Sequence, residues 1–305
     1  MTPETARSFA DIHAPVAEAL AAGRPVVALE STIITHGMPW PDNAAMAANV
    51  EKIIAAEGAV PATIAVVDGR IKIGLSDAGR EELARAHDAM KLSRADLAFA
   101  VAERRTGGTT VAATMICAAM AGIQVFATGG IGGVHKGAET SFDISADLDE
   151  LARTPVIVVS AGAKAILDIE KTLEVLETRG VPVIGYGSET MPAFWSRQSP
   201  FKAPLRLDAP EGIARLHATR RALGLGGGML VANPVPVEDE IPATEMAGHI
   251  EAAQKAAEAQ GVSGKTVTPF LLGKILELTG GRSLKTNIAL VENNARLAAR
   301  IARAL

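Results

Sequence analysis

Lys164 is the residue best placed for covalent chemistry. It follows the apolar segment PVIVVSAG and begins the helical pattern KAILDIEKTLEVLETRG. This pattern predicts that Lys164 occupies the first turn of a helix, where the positive end of the helix dipole disfavours an ammonium group. An uncharged lysine amine can form an imine with a sugar carbon, so Lys164 is a candidate nucleophile. A lysine that extends to solvent or binds a phosphate fits the same placement.

Glu30 is the candidate for proton transfer. It ends the apolar strand VVALE and is followed by Ser31 and Thr32. A carboxyl group that is partly removed from water at the end of a strand is suited to general acid or base catalysis. The alternative is a structural carboxylate that accepts hydrogen bonds from Ser31, Thr32 or backbone amides.

The acidic segment FDISADLDEL could hold a hard divalent cation. Asp143 and Asp147 are four residues apart in it, and Asp149 follows. Because few carboxylates are available, Mg²⁺ or Mn²⁺ would keep most of its waters and be held through one aspartate. Asp147 could instead cap a helix that begins near Leu148. Zinc is disfavoured, since one cysteine and six histidines show no ligand spacing.

The glycine-rich segment GGIGGVHKG could cradle a phosphate or let a substrate approach the backbone. It matches neither a Walker loop nor a dinucleotide-binding turn, so ATP and NAD are not indicated. His135 in this segment either donates a hydrogen bond to substrate or fixes the loop. Lys91 and Asn287 are candidates for phosphate binding, with solvated surface positions as the alternative. Trp40 and Trp195 could stack on a base or anchor their loops.

Alternating strands and helices must position these residues. The pattern predicts a helix over residues 4–22, strands at PVVALEST and QVFATG, a hairpin turn at Asp68-Gly69 and a glycine turn at Gly107-Gly108. Long helices are predicted at about 241–260 and 284–304, and residues 191–210 look irregular. The alternation predicts an α/β fold with a largely parallel sheet, in which loops at the carboxyl ends of strands carry the ligand site. Four such loops are candidates to converge: Glu30, residues 128–133, residues 160–164 and residues 186–189.

Composition excludes several classes of protein. The chain has 305 residues, 48% hydrophobic and 3% aromatic, and a formal charge of −4, so there is no basic field for a polymeric nucleic acid. The longest apolar run is interrupted by Gly122 and Gln124, which disfavours a membrane span. The single cysteine and the absence of a signal-peptide pattern favour the cytoplasm. Residues 1–305 are expected to form a single domain.

Five segments in order resemble the pseudouridine-5'-phosphate glycosidase family, also called indigoidine synthase A-like. The resemblance covers about residues 16–304 and rests on VALESTIITHGMPWPDN, AERRTGGTTVAATM, FATGGIGGVHKGAETSFDISADL, VVSAGAKAILDIEKTLEVLET and LKTNIALVENNARLA. It implies a three-layer α/β/α unit, commonly a homotrimer, that breaks the carbon–carbon bond between uracil and ribose 5-phosphate in pseudouridine 5'-phosphate.

The resemblance also implies roles for individual residues. Lys164 would be the imine-forming nucleophile, Glu30 the proton donor, and Asp143 the residue that holds a Mn²⁺-like ion largely through water. Substrate contacts would come from Lys91, Val111, Ser145, Ala146, Asp147, His135 and Asn287.

Two other functions are compatible with the same residues. A Schiff-base aldolase or lyase acting on another sugar phosphate would also need a lysine, a carboxylate and phosphate contacts. A non-catalytic nucleotide-binding module would use Lys164 only as an ion-pairing residue.

Overall fold

A computed structural model describes residues 8–262 and 267–305 of the chain. In these ranges the strands are β1 (Ala10–Ile12), β2 (Val26–Leu29), β3 (Val60–Val67), β4 (Arg70–Ile73), β5 (Met90–Leu92), β6 (Gly107–Thr109), β7 (Val125–Ala127), β8 (Val134–His135), β9 (Ile157–Ser160), β10 (Leu167–Asp168), β11 (Val183–Tyr186), β12 (Leu205–Leu207) and β13 (Met229–Ala232). The α-helices are α1 (Ala14–Ala21), α2 (Asp42–Ala56), α3 (Asp77–Arg85), α4 (Arg94–Ala102), α5 (Val111–Ala121), α6 (Ala138–Ser141), α7 (Ala146–Arg153), α8 (Ile169–Thr178), α9 (Pro210–Ala222), α10 (Ala243–Ala259), α11 (Val267–Leu278) and α12 (Arg282–Ala304). A π-helical turn spans Ile33–Gly37.

One large sheet organises the described residues. Its strand order is β1-β4-β3-β2-β7-β9-β13-β11-β12, with β6 also paired to β3 and β5 paired to β6. The six pairings along the run β3-β2-β7-β9-β13-β11-β12 are all parallel. Strands β4 and β6 run antiparallel to β3. Strands β8 and β10 form a separate antiparallel pair. The prediction of a largely parallel sheet is confirmed.

Helices cover the central strands on both faces. Strands β2, β7, β9 and β13 are buried at every position, as expected for strands of a parallel sheet between two helix layers. Helix α12 contacts β2, β7 and β9 and has α2 and α9 beside it, whereas α5 contacts β2, β3 and β7 and has α4 and α7 beside it. This arrangement is the expected three-layer α/β/α sandwich.

Small residues allow close packing at the sheet edge near the site. Gly107 and Gly108 form part of β6, not the predicted turn. A Cβ at Gly107 would lie 2.5 Å from the carbonyl oxygen of Met90, and one at Gly108 would lie 2.9 Å from the carbonyl oxygen of Ser31. The two glycines therefore serve the close approach of neighbouring backbone, which a local turn pattern cannot distinguish from a turn.

The predicted helix over residues 4–22 is wrong in its first half, as far as the structure describes it. Residues 10–12 form β1, which pairs with β4, and residues 4–7 lie outside the described residues. Asp11 in this strand forms salt bridges with Arg70 and Lys72 of the neighbouring strand. These long-range contacts determine the strand, and helix α1 begins only at Ala14 with a proline in its first turn.

Other boundaries follow the predicted pattern more closely. Asp68 and Gly69 both have positive φ and connect β3 to β4 as a hairpin, as predicted. The two long C-terminal helices lie at Ala243–Ala259 and Arg282–Ala304, and the sequence pattern missed α11 between them. In the part of the chain described, no helix is both long and apolar enough to cross a bilayer.

Candidate active site

Three adjacent parallel strands deliver the central residues of the site. Glu30 follows β2, Thr128 follows β7, and Lys164 lies four residues beyond β9, in the order in which these strands pair. Their carboxyl ends therefore meet at one edge of the sheet, where ligands of parallel α/β proteins bind. Residues 186–189 begin at the last residue of β11, which β13 separates from β9, and they do not line the cavities described below. Of the four predicted loops, this one does not reach the site.

A polar cavity of about 340 Å³ opens at this edge, at the lower end of the usual volume of small-molecule sites. It brings together nine of the predicted site residues, namely Glu30, Lys91, Val111, His135, Asp143, Ser145, Ala146, Asp147 and Lys164. Asn287, the remaining one, lines a smaller adjoining chamber of about 90 Å³. Glu30, Lys91 and Lys164 line both spaces, so they stand where the polar cavity meets the chamber.

Glu30 is held by hydroxyl groups on both carboxylate oxygens. Thr128 donates a hydrogen bond to Oε1, and Thr32 donates one to Oε2. Ser31 does not bind Glu30, because its hydroxyl donates to the carbonyl oxygen of Ile64 at 2.6 Å. The carboxylate is thus oriented by β7 as well as by its own strand. The sequence suggested Thr32 as a partner, but Thr128 is 98 residues away.

Lys164 extends into the site from a loop and not from a helix. Its backbone N–H donates to the carbonyl oxygen of Ile131 at 3.1 Å, and helix α8 begins only at Ile169. Asp168 caps that helix by accepting a hydrogen bond from the backbone of Lys171 at 3.0 Å. The predicted location in the first helical turn is therefore wrong, and the dipole of α8 does not act directly on this amine. The half-buried side chain nevertheless lines both spaces of the site.

Among the described residues, the first turns of three helices border the polar cavity. Ser93 precedes α4, Thr110 precedes α5, and Ser145 precedes α7, and all three residues line the cavity. Val111 and Ala146 are the first residues of their helices, so their backbone N–H groups have no intrahelical acceptor. The buried hydroxyl of Thr110 has no hydrogen-bond partner within the described chain. Together with Lys91, these groups provide donors and positive potential for an anion.

Asp147 connects two walls of the cavity. Its Oδ1 accepts from the backbone N–H of Ala112 at 2.9 Å, and its Oδ2 accepts from that of Gly132 at 2.7 Å. The cap of α7 is Ser145, whose hydroxyl accepts from the backbone of Asp147, so the helix-capping alternative for Asp147 is wrong. Asp147 holds the start of α5 against the glycine-rich loop.

Asp143 presents one accessible carboxylate to the polar cavity. Its side chain is 45% exposed and lines the cavity, and its Oδ2 lies 3.9 Å from Nδ1 of His135. Within residues 8–262 and 267–305 no group of three or more acidic, histidine or cysteine side chains is arranged to hold a metal. One accessible carboxylate fits a hard ion that retains most of its water, and does not fit an all-protein cage.

Two histidines near the lysines favour their neutral form. Burial is the main cause that lowers the pKa of His135; Lys164 and Lys91 lower it further, and Asp143 opposes this change. Burial and then Lys91 also lower the pKa of His36 in the π-helical turn. Both rings can therefore act as neutral hydrogen-bonding groups at pH 7.

Several residues of the site were not predicted from the sequence. Ser93, Thr110 and Thr268 line the polar cavity, and Thr268 comes from the unpredicted helix α11. Serine or threonine directly before a helix, as in Ser93 and Thr110, was a usable local signal. No such signal marks Thr268.

The two tryptophans serve as anchors. Trp40 donates to Oε1 of Glu81 at 3.0 Å and lies under the guanidinium group of Arg85 at 4.2 Å, outside both spaces of the site. Trp195 is 1% exposed and donates to Oδ1 of Asn287 at 2.6 Å. Neither indole lines the cavity or the chamber.

The chain is similar to a well-defined group of proteins. Residues 15–304 match the family described as Indigoidine synthase A like protein. The pseudouridine-5'-phosphate glycosidase of Mesorhizobium japonicum is 84% identical over 305 residues, which is 100% of both chains. The protein of the same name from Dinoroseobacter shibae is 64% identical and covers 98% of each chain.

Two solved structures have the same fold. The prealnumycin C-glycosynthase AlnA, in complex with ribulose 5-phosphate, has a TM-score of 0.90 and 37% identity, over 97% of this chain and 96% of that one. An indigoidine synthase A-like protein from Thermotoga maritima has a TM-score of 0.85 and 37% identity, over 92% of each chain. The chain therefore belongs to the family of indigoidine synthase A-like proteins.

Proposed function

We propose that the chain is a pseudouridine-5'-phosphate glycosidase, which reversibly cleaves the carbon–carbon bond between uracil and ribose 5-phosphate. The observation that carries the proposal is the position of Lys164 and Glu30 between a polar cavity and a largely apolar chamber. The nucleotide likewise has a charged sugar-phosphate half and a flat, uncharged base, and the bond to be cleaved joins them. The names of relatives that are 84% and 64% identical over nearly the whole chain support the same activity.

The polar cavity is the proposed site of ribose 5-phosphate. Lys91 and the first turns of α5 and α7 supply a cation and free backbone donors for the phosphate. The bound ribulose 5-phosphate in the C-glycosynthase AlnA supports a sugar phosphate as the ligand of this fold. Binding energy from the remote phosphate would position the reacting carbon next to Lys164.

The chemistry follows from the bond that is broken. A carbon–carbon glycosidic bond offers no leaving heteroatom to protonate, so a pair of carboxylates is insufficient. In the first stage the uncharged Nζ of Lys164 bonds to C1', the C1'–O4' bond breaks, and O4' takes a proton from Glu30. The ribose is then an open chain that is bonded to both Lys164 and uracil.

The second stage releases the base. Carbon 5 of uracil gains a proton, the electron pair of the C1'–C5 bond stays on uracil, and the lone pair of Nζ forms a double bond to C1'. Glu30, a carboxylate after the first stage, takes the proton that the bonded Nζ releases and delivers it to carbon 5, and its two threonine partners hold the carboxyl group in place. Water then adds to the imine, ribose 5-phosphate leaves, and the amine of Lys164 is restored.

Asp143 would hold a divalent ion such as Mn²⁺, largely through water. When bound, the hydrated cation would offset negative charge near the substrate. Asp147 is less suited than Asp143 to bind the ion, because each of its oxygens already accepts a backbone hydrogen bond. Neutral His135 would donate a hydrogen bond to substrate from the same wall.

The proposed assembly is a homotrimer in the cytoplasm. The homotrimer rests on the family resemblance, and the cytoplasmic location on the single cysteine of the chain.

The decisive experiment is release of uracil from pseudouridine 5'-phosphate by the pure protein with Mn²⁺. Lys164→Ala should reduce the rate about 10³-fold or more, since it removes the nucleophile. Lys255→Ala is the matched control, because Lys255 pairs only with Glu251 in the described structure and lies on the exposed face of α10.

Borohydride should trap the sugar on Lys164 in the wild type. If the wild type binds the nucleotide but releases no uracil, the proposed function is wrong. Turnover of another sugar phosphate in that case would favour a Schiff-base lyase.

A further inference from the structure

The chamber next to the catalytic residues has a largely apolar wall, and the side-chain amide of Asn287 lies in that wall. Its lining includes Leu272, Leu284, Leu290 and Val291, together with Asn287 from helix α12. A flat, weakly polar ring suits such a wall, whereas a phosphate does not. On the proposed function, the chamber would receive the uracil while the sugar phosphate occupies the polar cavity.

Trp195 determines which end of the Asn287 amide faces the chamber. The indole Nε1 is 2.6 Å from Oδ1 of Asn287 and 3.2 Å from the carbonyl oxygen of Ser283. An indole N–H can only donate, so the oxygen of the amide must be the atom that faces it. The NH₂ group of Asn287 is consequently left for a ligand. Within residues 8–262 and 267–305, no group accepts a hydrogen bond from this Nδ2.

The indole itself is rigidly held. Trp195 is 1% exposed, and its ring meets Phe194 edge-on with centroids 5.0 Å apart and an interplanar angle of 74°. Its carbonyl oxygen accepts from the backbone N–H of Ile241 at 3.0 Å. Because the donor cannot move away, rotation of the Asn287 amide would place an NH₂ group against an N–H group.

We propose that Trp195 is a positioning residue for the base: it orients Asn287 so that the amide NH₂ donates to a carbonyl oxygen of the bound pyrimidine. This inference rests on the proposed function. It makes the chamber selective for a ring that presents a carbonyl acceptor at this point. A ring with an amino group there would place donor against donor and bind less well.

The test is a binding measurement in a protein that cannot turn over. Isothermal titration calorimetry in the Lys164→Ala background compares pseudouridine 5'-phosphate with ribose 5-phosphate, which lacks the base. Trp195→Phe keeps an aromatic ring but removes the N–H donor. We expect about five- to tenfold weaker binding of the nucleotide, the effect of one hydrogen bond, and unchanged binding of ribose 5-phosphate.

Trp40→Phe is the matched control, because it removes the other tryptophan N–H of the chain, which binds Glu81 outside the site. It should leave both affinities unchanged. Equal weakening of both ligands by Trp195→Phe would indicate a general structural role and overturn the proposal. So would unchanged affinity for both ligands.

A double-mutant cycle tests whether Trp195 acts through Asn287. In an Asn287→Ala background, Trp195→Phe should cause no further loss of nucleotide affinity, and additive losses would contradict the inference.

If the Trp195→Phe protein does not fold, the NMR resonance of the Trp195 indole N–H in the Lys164→Ala protein provides the readout instead. That resonance should shift with pseudouridine 5'-phosphate and not with ribose 5-phosphate; identical shifts would overturn the proposal. Because binding is measured separately from uracil release, failure of this inference can be distinguished from failure of the proposed function.

Discussion

At the scale of single residues, the orientation of Glu30 depends on hydroxyl groups from two different strand ends. Thr128 is 2% exposed, and its hydroxyl is the donor to Oε1 of Glu30. Thr128→Val keeps the shape of the side chain and removes this donor. We expect kcat for uracil release to fall about tenfold, because a carboxyl oxygen loses its partner and the acid loses its orientation.

Thr128→Ser restores the hydroxyl and should recover most of the rate. Thr219→Val is a suitable control, since the hydroxyl of Thr219 binds only its own helix at Arg215 and is exposed. A rate for Thr128→Val within twofold of the wild type would argue against the orienting role.

The pKa of His36 should lie below its ordinary value, so the ring should remain neutral at pH 7. Burial lowers its pKa first, and the charge of Lys91 lowers it further. Between the ordinary pKa of about 6.5 and the lower folded value, the unfolded chain binds more protons, so this histidine makes the protein less stable as pH falls. Titration followed by NMR should show the low pKa. Lys91→Met should move it upward, and no change would exclude Lys91 as a cause.

At the scale of elements, the glycine-rich loop between β7 and α7 depends on close contact with the start of α7. A Cβ at Gly132 would lie 2.2 Å from Oγ of Ser145 and 2.8 Å from Oδ2 of Asp147. Gly132→Ala therefore forces apart the loop and the helix cap that together border the polar cavity. We expect a loss of about 1–3 kcal/mol in the free energy of unfolding and weaker binding of ribose 5-phosphate.

Gly248→Ala provides the comparison for this substitution. Gly248 lies in α10 and does not have positive φ, and a Cβ added there would meet no atom within 4 Å outside its own helix turn. Alanine there should be neutral or stabilise the protein by up to about 1 kcal/mol. Chemical denaturation and calorimetry measure both variants; a stable Gly132→Ala protein with unchanged affinity would show that the loop can move without affecting the site.

At the scale of the whole molecule, one thiol reports on the integrity of the core. Cys117 lies in α5, is fully buried, and has its pKa raised to about 12 by burial. The native protein should therefore not react with a thiol reagent at pH 8, and reaction should follow unfolding in denaturant. Rapid labelling under native conditions would mean that α5 separates from the sheet far more easily than this packing implies.

Local sequence patterns predicted the central strands well and the contacts between elements poorly. The runs VVAL, VFA, IVVS and MLVA are apolar throughout, so they are typical of strands covered on both faces. By contrast, Ala10–Ile12 is a strand only because β4 lies beside it, and α8 begins at Ile169 because Asp168 caps it there. The pairing of β1 with β4 and the bridge between Ile131 and Ala163, just before Lys164, join distant segments. A window of neighbouring residues therefore does not reveal them.

The sequence by itself determined which residue types follow the central strands. Strand–helix alternation implies parallel strands whose carboxyl ends share an edge, so Glu30 and Lys164 could be expected near each other without knowing any contact. Only the tertiary structure decided what each side chain does there. Thr128 donates a hydrogen bond to Glu30, and Asp147 joins α5 to the glycine-rich loop. Trp195 donates to Asn287, which is 92 residues away in the sequence. The physical reason is that hydrogen-bond partners are chosen by the packing of distant elements, whereas periodicity records only which face of each element is buried.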